Sequence, residues 1–269
     1  IISYAPIILQ GTKKNPINMT GKGDSYWNGI TVIIANDQSK ILNTNLSNIE
    51  GISSKYWAIT GGVSFYKSNI YINNVFIKNI NTEDGLNIIS SKFEINNLNI
   101  ENSISDAFDS DFSQGELNGG SYINIGFKGG GDGIDFSGSN VRAKNITFES
   151  ISDKAMSIGE NSIFEGSDIS VKNSSVGIAS KDGSNVNITH SKFEDISLSA
   201  LMAYKKKQEY TNSQLTSKNI TFKNVLNKAI SQKGTTILID DKKIDTESLD
   251  VNNLYNTKMK KNLINKTYE

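Results

Sequence analysis

Two short phrases of apolar and polar residues recur along this chain, in step with one another. The first runs small residue, large apolar residue, short polar residue, and closes in a Gly/Ser-rich turn. Its clearest copies are Asp106-Ala107-Phe108-Asp109-Ser110-Asp111, Asp132-Gly133-Ile134-Asp135-Phe136-Ser137, Lys154-Ala155-Met156-Ser157-Ile158-Gly159 and Val176-Gly177-Ile178-Ala179-Ser180-Lys181. The leading small residues read Ala58, Gly85, Ala107, Gly133, Ala155, Gly177, Ala200 and Ala229, each followed by a large apolar residue. The second phrase alternates apolar and polar residues between Asn-like ends. It occupies residues 74–79, 97–102, 145–150, 168–173, 190–195 and 219–224, with weaker copies from Asn43 and Asn124.

Copies lie roughly 21–31 residues apart, the spacing of a solenoid. Each predicted strand is short and has period two, so it buries one face and needs a neighbour. Coils of a little over twenty residues, stacked about 4.8 Å apart, place like on like. Apolar columns then fill the interior, and Asn columns form amide ladders at the turns. The pattern predicts a parallel β-helix of about eight to ten coils. No stretch sustains the i, i+3, i+4, i+7 spacing of a helix. Residues 1–40 read as entry coils, 41–235 as the regular body, and 236–269 as a C-terminal cap or tail. Within the last part, residues 236–244 read as strand, turn and strand. Residues 204–213 read as a surface loop.

Alternation sends the large apolar residue inward and the residue after it outward. That outward column reads Thr60, Asn87, Asp109, Asp135, Ser157, Ala179, Met202 and Ser231. Two positions on stand Asp111, Ser137, Gly159, Lys181 and Tyr204, and before the small residue come Trp57, Asp84, Asp106, Asp132, Lys154 and Val176. Asp106, Asp109, Asp111, Asp132 and Asp135 are therefore expected on one face over two coils, with Asp84 to one side and Lys154 and Lys181 to the other. Carboxylates stacked this closely repel, so one is protonated or a cation bridges them. A raised pKa makes a general acid for glycoside cleavage. A bridged set of oxygens, here Asp109, Asp111 and Asp135, suits Ca²⁺. The lysines could hold an acidic sugar, or one could act as a base. The competing reading is that these Asp residues are turn formers and solvated strand groups.

Composition narrows the chemistry. The chain has 269 residues, no Cys and a single His, so thiolate metal sites and His-based triads are excluded or improbable. His190 stands in an Asn column and reads as a ladder residue. Basic and acidic residues balance at 28 each, so nothing global draws the protein to nucleic acid. There is no apolar run of about 18 residues that would span a membrane. The start, Ile1-Ile2-Ser3, reads as strand, and the natural start is expected upstream. Lys205-Lys206-Lys207 beside Tyr204 and Tyr210 reads as a polyanion grip or a solvated loop. Gly129-Gly130-Gly131 reads as a tight corner.

Over residues 15–235 these phrases resemble the pectin-lyase-like superfamily of right-handed, single-stranded parallel β-helices. The resemblance implies polysaccharide lyases, hydrolases, epimerases and non-catalytic carbohydrate binders. Asn81-Thr82-Glu83-Asp84-Gly85, Asp106, Asp132, Ser157-Ile158-Gly159 and Lys181 resemble the polygalacturonase motif series. The chain departs from it in having Lys154 where that family has His, and Ala179-Ser180 where it has Arg before the Lys. The phrases at 106–112, 153–160, 177–184 and 203–207 are similar to bacterial surface β-helix domains found beside spore-coat-H-type kinase modules. The expected function is polysaccharide binding, with lyase or hydrolase chemistry if catalytic, in a secreted, cell-surface or periplasmic protein. Asp109, Asp135, Asp106, Asp132, Lys154 and Lys181 are the candidate catalytic residues, and Asp84, Tyr204 and Lys205 the candidate substrate contacts. The rival is a stiff, non-catalytic spacer joined to other modules.

Overall fold

The computed structural model describes residues 1–23 and 25–259. It is an all-β parallel solenoid of about ten turns. The strands pair in parallel, each with its equivalent one coil away, in one 23-stranded sheet that wraps the axis. The exceptions are two antiparallel pairs: Ile52–Ser53 with Ala58–Ile59, and Thr236–Ile239 with Lys242–Lys243. The second pair is the strand, turn and strand expected near residue 240.

Three faces follow from where the backbone turns. Ile70–Asn81 is one continuous strand, yet Asn74 and Asn79 within it have φ of 53° and 55°. A left-handed residue bends the strand, and Asn tolerates that conformation better than most side chains. The bends recur in register at Asn43, Asn74 and Asn97, and at Asn48, Asn79, Asn102 and Asn124. Their amides bond coil to coil: Asn97 Nδ2 donates to Asn74 Oδ1 at 2.8 Å, and Asn124 Nδ2 to Asn102 Oδ1 at 2.6 Å. His190 sits in such a column, 3.2 Å from Asn219 Nδ2.

The third corner carries a ladder of another kind. Ser68, Ser91, Ser113, Ser139, Ser162 and Ser184 are buried above one another. Each of the last five accepts, on its hydroxyl, the backbone N–H of the Ser one coil earlier, at 2.8–3.1 Å. These bonds satisfy N–H groups that a corner would otherwise leave unpaired away from water. Inside, Ile, Leu, Val and Phe stack as predicted. Phe93, Phe108 and Phe136 meet edge to face at 5.6 and 5.3 Å.

The first phrase forms the face that matters below. Its strands are Ile30–Ile33, Gly61–Tyr66, Asp84–Ile89, Asp106–Asp111 and Ile134–Ser137, then the later parts of three longer strands. Two expected copies are misplaced. Val63, not Ile59, pairs with Leu86, so the small residue of that coil is Gly62. Ala58 and Ile59 instead belong to the antiparallel hairpin, an insertion whose own alternation mimics the phrase. Ala229 pairs with Leu201, one position off the expected Ala200. Tyr204 also differs from expectation. It is the last residue of the strand Lys192–Tyr204, fully buried, and the loop starts after it.

After Thr246–Glu247 the chain returns over this face. Asp250 caps a short helix, Val251–Leu254, by accepting the N–H of Asn253, and Tyr255–Met259 continues it in a wider turn. Residues 260–269 of the expected cap or tail lie outside the described residues.

Replacing Asn74 by Val is expected to destabilise the fold by about 1–3 kcal/mol, because a β-branched residue is strained at positive φ and the ladder is cut. Asn74→Gly keeps the bend and loses only the amide bonds, so its denaturation midpoint should fall by less.

Candidate functional site

Register gathers the acids as the sequence predicts. Asp84 pairs with Asp106, Asn87 with Asp109, Asp109 with Asp135, and Asp135 with Ser157. The pairing skips Gly85 and Ala107, as it skips the Asn corners. Asp106, Asp132 and Asp135 each bring one oxygen within 4.8 Å of the others. Asp109 and Asp111 are not in that group. Among the described residues, the set of oxygens that converges is thus Asp106, Asp132 and Asp135, not the expected Asp109, Asp111 and Asp135.

Hydrogen bonds knit the acids together. Asn87 Nδ2 donates to Asp84 Oδ2 at 2.9 Å and to Asp109 Oδ2 at 3.1 Å. Asp106 accepts the backbone N–H of Asp132, and Asp132 accepts that of Lys154, at 2.8 and 3.0 Å. The carboxylate of one coil thus caps the strand entry of the next.

Both lysines are drawn into this array. Lys154, its side chain 3 % exposed, lies 3.0 Å from Asp132 Oδ1 and 2.6 Å from Asp153 Oδ2. Lys181 Nζ lies 3.7 Å from Asp135 Oδ1, two coils away. It reaches that far because Gly159 is in between: a Cβ there would stand 3.2 Å from Lys181 Cε. Neither ammonium is presented to solvent.

The electrostatics follow from burial and crowding. Burial, reinforced by Asp84, Asp111 and other acids, pushes Asp109 up to about 10. Burial lifts Asp84 and Asp153 to about 6. Asp106 is raised well above the carboxylate range by burial and by Asp132 and Asp135, and Asp111 is raised by burial and by Asp135. Burial works against the charge of Lys154, but Asp132 and Asp153 outweigh it and hold its pKa above the usual value. Lys181 is raised in the same way, Asp135 overriding burial.

The surroundings bear on three sequence readings. Tyr204 is not a groove-side aromatic: its hydroxyl bonds that of Tyr255 at 2.7 Å under the C-terminal segment. Lys205 stands just past it and donates its N–H to Gln232. In the basic run, the N–H groups of Lys206 and Lys207 bond Asp182, Lys206 Nζ lies 4.4 Å over the Tyr255 ring, and Lys207 pairs with Glu160. The ammonium groups of Lys206 and Lys207 are thus engaged within the fold. Asp153 and Tyr255 were missed. Asp153 is adjacent to Lys154 in sequence, which was a usable signal. Nothing local marks Tyr255.

Flanking the acids, the floor positions Thr31, Ser64 and Asn87 line a recess of about 240 Å³, with Ile59, Thr60 and Tyr66 also in its lining. Tyr56 and Trp57, at the tip of the inserted hairpin, are exposed. Seven buried side-chain atoms lack a hydrogen-bond partner among the described residues. Thr31 Oγ1, Asn87 Oδ1, Asp135 Oδ1 and Ser157 Oγ fall in one column of this face, and Asp153 Oδ1 lies beside it.

No protein-family model matches the chain, and no curated protein sequence does. Among solved structures it is similar to the catalytic domain of a GH87 α-1,3-glucanase variant in complex with tetrasaccharides. Identity there is 11 % and the TM-score 0.48, over 89 % of this chain and 52 % of that one. The same catalytic domain in complex with nigerose matches at 10 % identity and a TM-score of 0.44, over 93 % and 62 %. The chain spans about half the length of the first. Identities this low leave the chemistry to be read from this chain's own residues. No helix among the described residues is long and apolar enough to cross a membrane.

Two expectations follow. Carboxyls with raised pKa values favour folding when protonated, so their contribution is full below the ordinary 3.8 and is lost as pH rises through the folded value. Thermal melting should show stability falling from about pH 4 to pH 6 as Asp84 and Asp153 ionise, and further toward about pH 10 for Asp109. Asp109→Asn should flatten the alkaline part. Lys154→Met leaves Asp132 and Asp153 buried without their cation and should cost about 3–5 kcal/mol in chemical denaturation.

Proposed function

We propose that this face binds a neutral polysaccharide and hydrolyses its glycosidic bonds. The observation that carries the reading is the pair of buried polar atoms without a hydrogen-bond partner among the described residues, Thr31 Oγ1 and Asn87 Oδ1, in the same outward column as the carboxyls of Asp109 and Asp135. Buried polar groups are nearly always bonded, so unbonded ones beside the acids fit a polar ligand better than a structural role. A sugar chain presents hydroxyls at intervals close to the coil spacing. The exposed aromatics of the hairpin suit the apolar faces of sugar rings.

The roles divide by environment. Asp109, protonated across neutral pH, donates its proton to the glycosidic oxygen as the C–O bond breaks. Asp135, ion-paired with Lys181, serves as the carboxylate that stabilises the developing positive charge or activates water. Water supplies the hydroxyl that completes the cleaved end. Lys154 and Lys181 position these carboxylates. Their ammonium groups are committed to Asp132, Asp153 and Asp135, which supports a neutral glycan over the acidic one expected from sequence. Ca²⁺ fits the oxygens of Asp106, Asp132 and Asp135, though Lys154 already neutralises Asp132. A glycan ligand goes with a secreted, cell-surface or periplasmic setting. The spacer reading draws on the coil-to-coil ladders but gives no reason for the acid face.

The test is a panel of neutral and acidic oligosaccharides, including an α-1,3-linked tetrasaccharide, assayed for binding by calorimetry and for cleavage by released reducing ends. Asp109→Asn and Asp135→Asn should retain binding and lose about 10²–10⁴-fold in turnover. Binding of acidic sugars alone, or turnover untouched by both changes, would sink the reading.

A further inference from the structure

The acid face is open over only part of its length. In the outward column Asp135 keeps 26 % of its side chain exposed, while the next position, Ser157, is wholly buried. The two positions after it, Ala179 and Met202, are also wholly buried, in a cluster with Val251, Leu254 and Met259 of the C-terminal segment. The outward column thus changes from polar to apolar where that segment covers it. Tyr255 pins the segment in place. Its hydroxyl bonds Tyr204, and its ring lies beneath the ammonium groups of Lys154 and Lys206 at 5.4 and 4.4 Å. At the opposite end the same column runs past Asn87 into the 240 Å³ recess. One coil advances about 4.8 Å, so only about one coil of face separates Asp135 from the obstruction.

We propose that the Tyr255 segment is a stop that admits only the end of a glycan: a terminal sugar seats against it beside Asp135, and the rest of the chain leaves over Asn87 toward the recess. This rests on the glycan-binding reading above and adds to it a mode of action, recognition of chain ends. An open groove would accept the chain interior and load several protein molecules along one long chain. A stopped groove loads at one terminus.

Titration calorimetry with linear gluco-oligosaccharides of increasing length, and with a cyclic gluco-oligosaccharide of the same linkage, separates the two. The expected result is one protein per chain at every length and no measurable binding of the ring. Stoichiometry that rises with chain length, or a ring bound as tightly as the linear chain, would overturn the stop while leaving glycan binding intact. Absence of binding to every oligosaccharide would overturn both. Tyr255→Ala, with its fold checked by thermal melting, should let stoichiometry climb on the longest chains, whereas a folded variant that still loads one per chain counts against the proposal. If that variant does not fold, the wild-type length series and the ring decide alone.

Discussion

The hydrogen bond from each strand to its equivalent one coil away is the constraint on which the rest depends. It fixes register, and register decides which side chains must be neighbours. For apolar residues and for Asn this is favourable, since rings interdigitate and an amide can both donate and accept along the axis. For Asp it is unfavourable, because like charges are held about 4.8 Å apart in a partly desolvated setting. The same geometry that stabilises the Asn corners therefore loads the acid face.

That load is relieved in three ways within the same few coils. Asp109 holds its proton across neutral pH, as its raised value indicates. Others accept backbone N–H groups at strand entries, as Asp106 and Asp132 do. Asp132 and Asp135 also lean on two lysines brought in from later coils. An array with both protonated and ion-paired carboxyls holds a proton donor and a proton acceptor side by side, which chemistry on glycosidic bonds requires.

The fold and the acid column were legible because both arise from period and register alone. The errors cluster where the chain leaves that regime. At Ala58 an inserted hairpin carries its own alternation, and only the pairing of Val63 with Leu86 reveals the true coil. At Ala229 the register shifts by one in the turn after Val225, between the pairs Ile196–Val225 and Leu201–Ala229. The destinations of Lys154 and Lys181 were hidden because they depend on the gap at Gly159 and on a segment far along the chain. Tyr204 looked like a loop aromatic because its partner, Tyr255, is 51 residues away.

The serine corner has an evolutionary consequence. Because each hydroxyl there clamps the coil before it, an excursion can be accommodated between clamps: the glycine bend near 129–131 sits between Ser113 and Ser139 with their step intact, and the hairpin at 52–59 and the lysine loop after Tyr204 lie just beyond the first and last serines of the ladder. The scaffold and its decorations can therefore diversify independently. Descendants of such a chain could exchange arms around the acids, and with them the ligand, while inheriting the same spine.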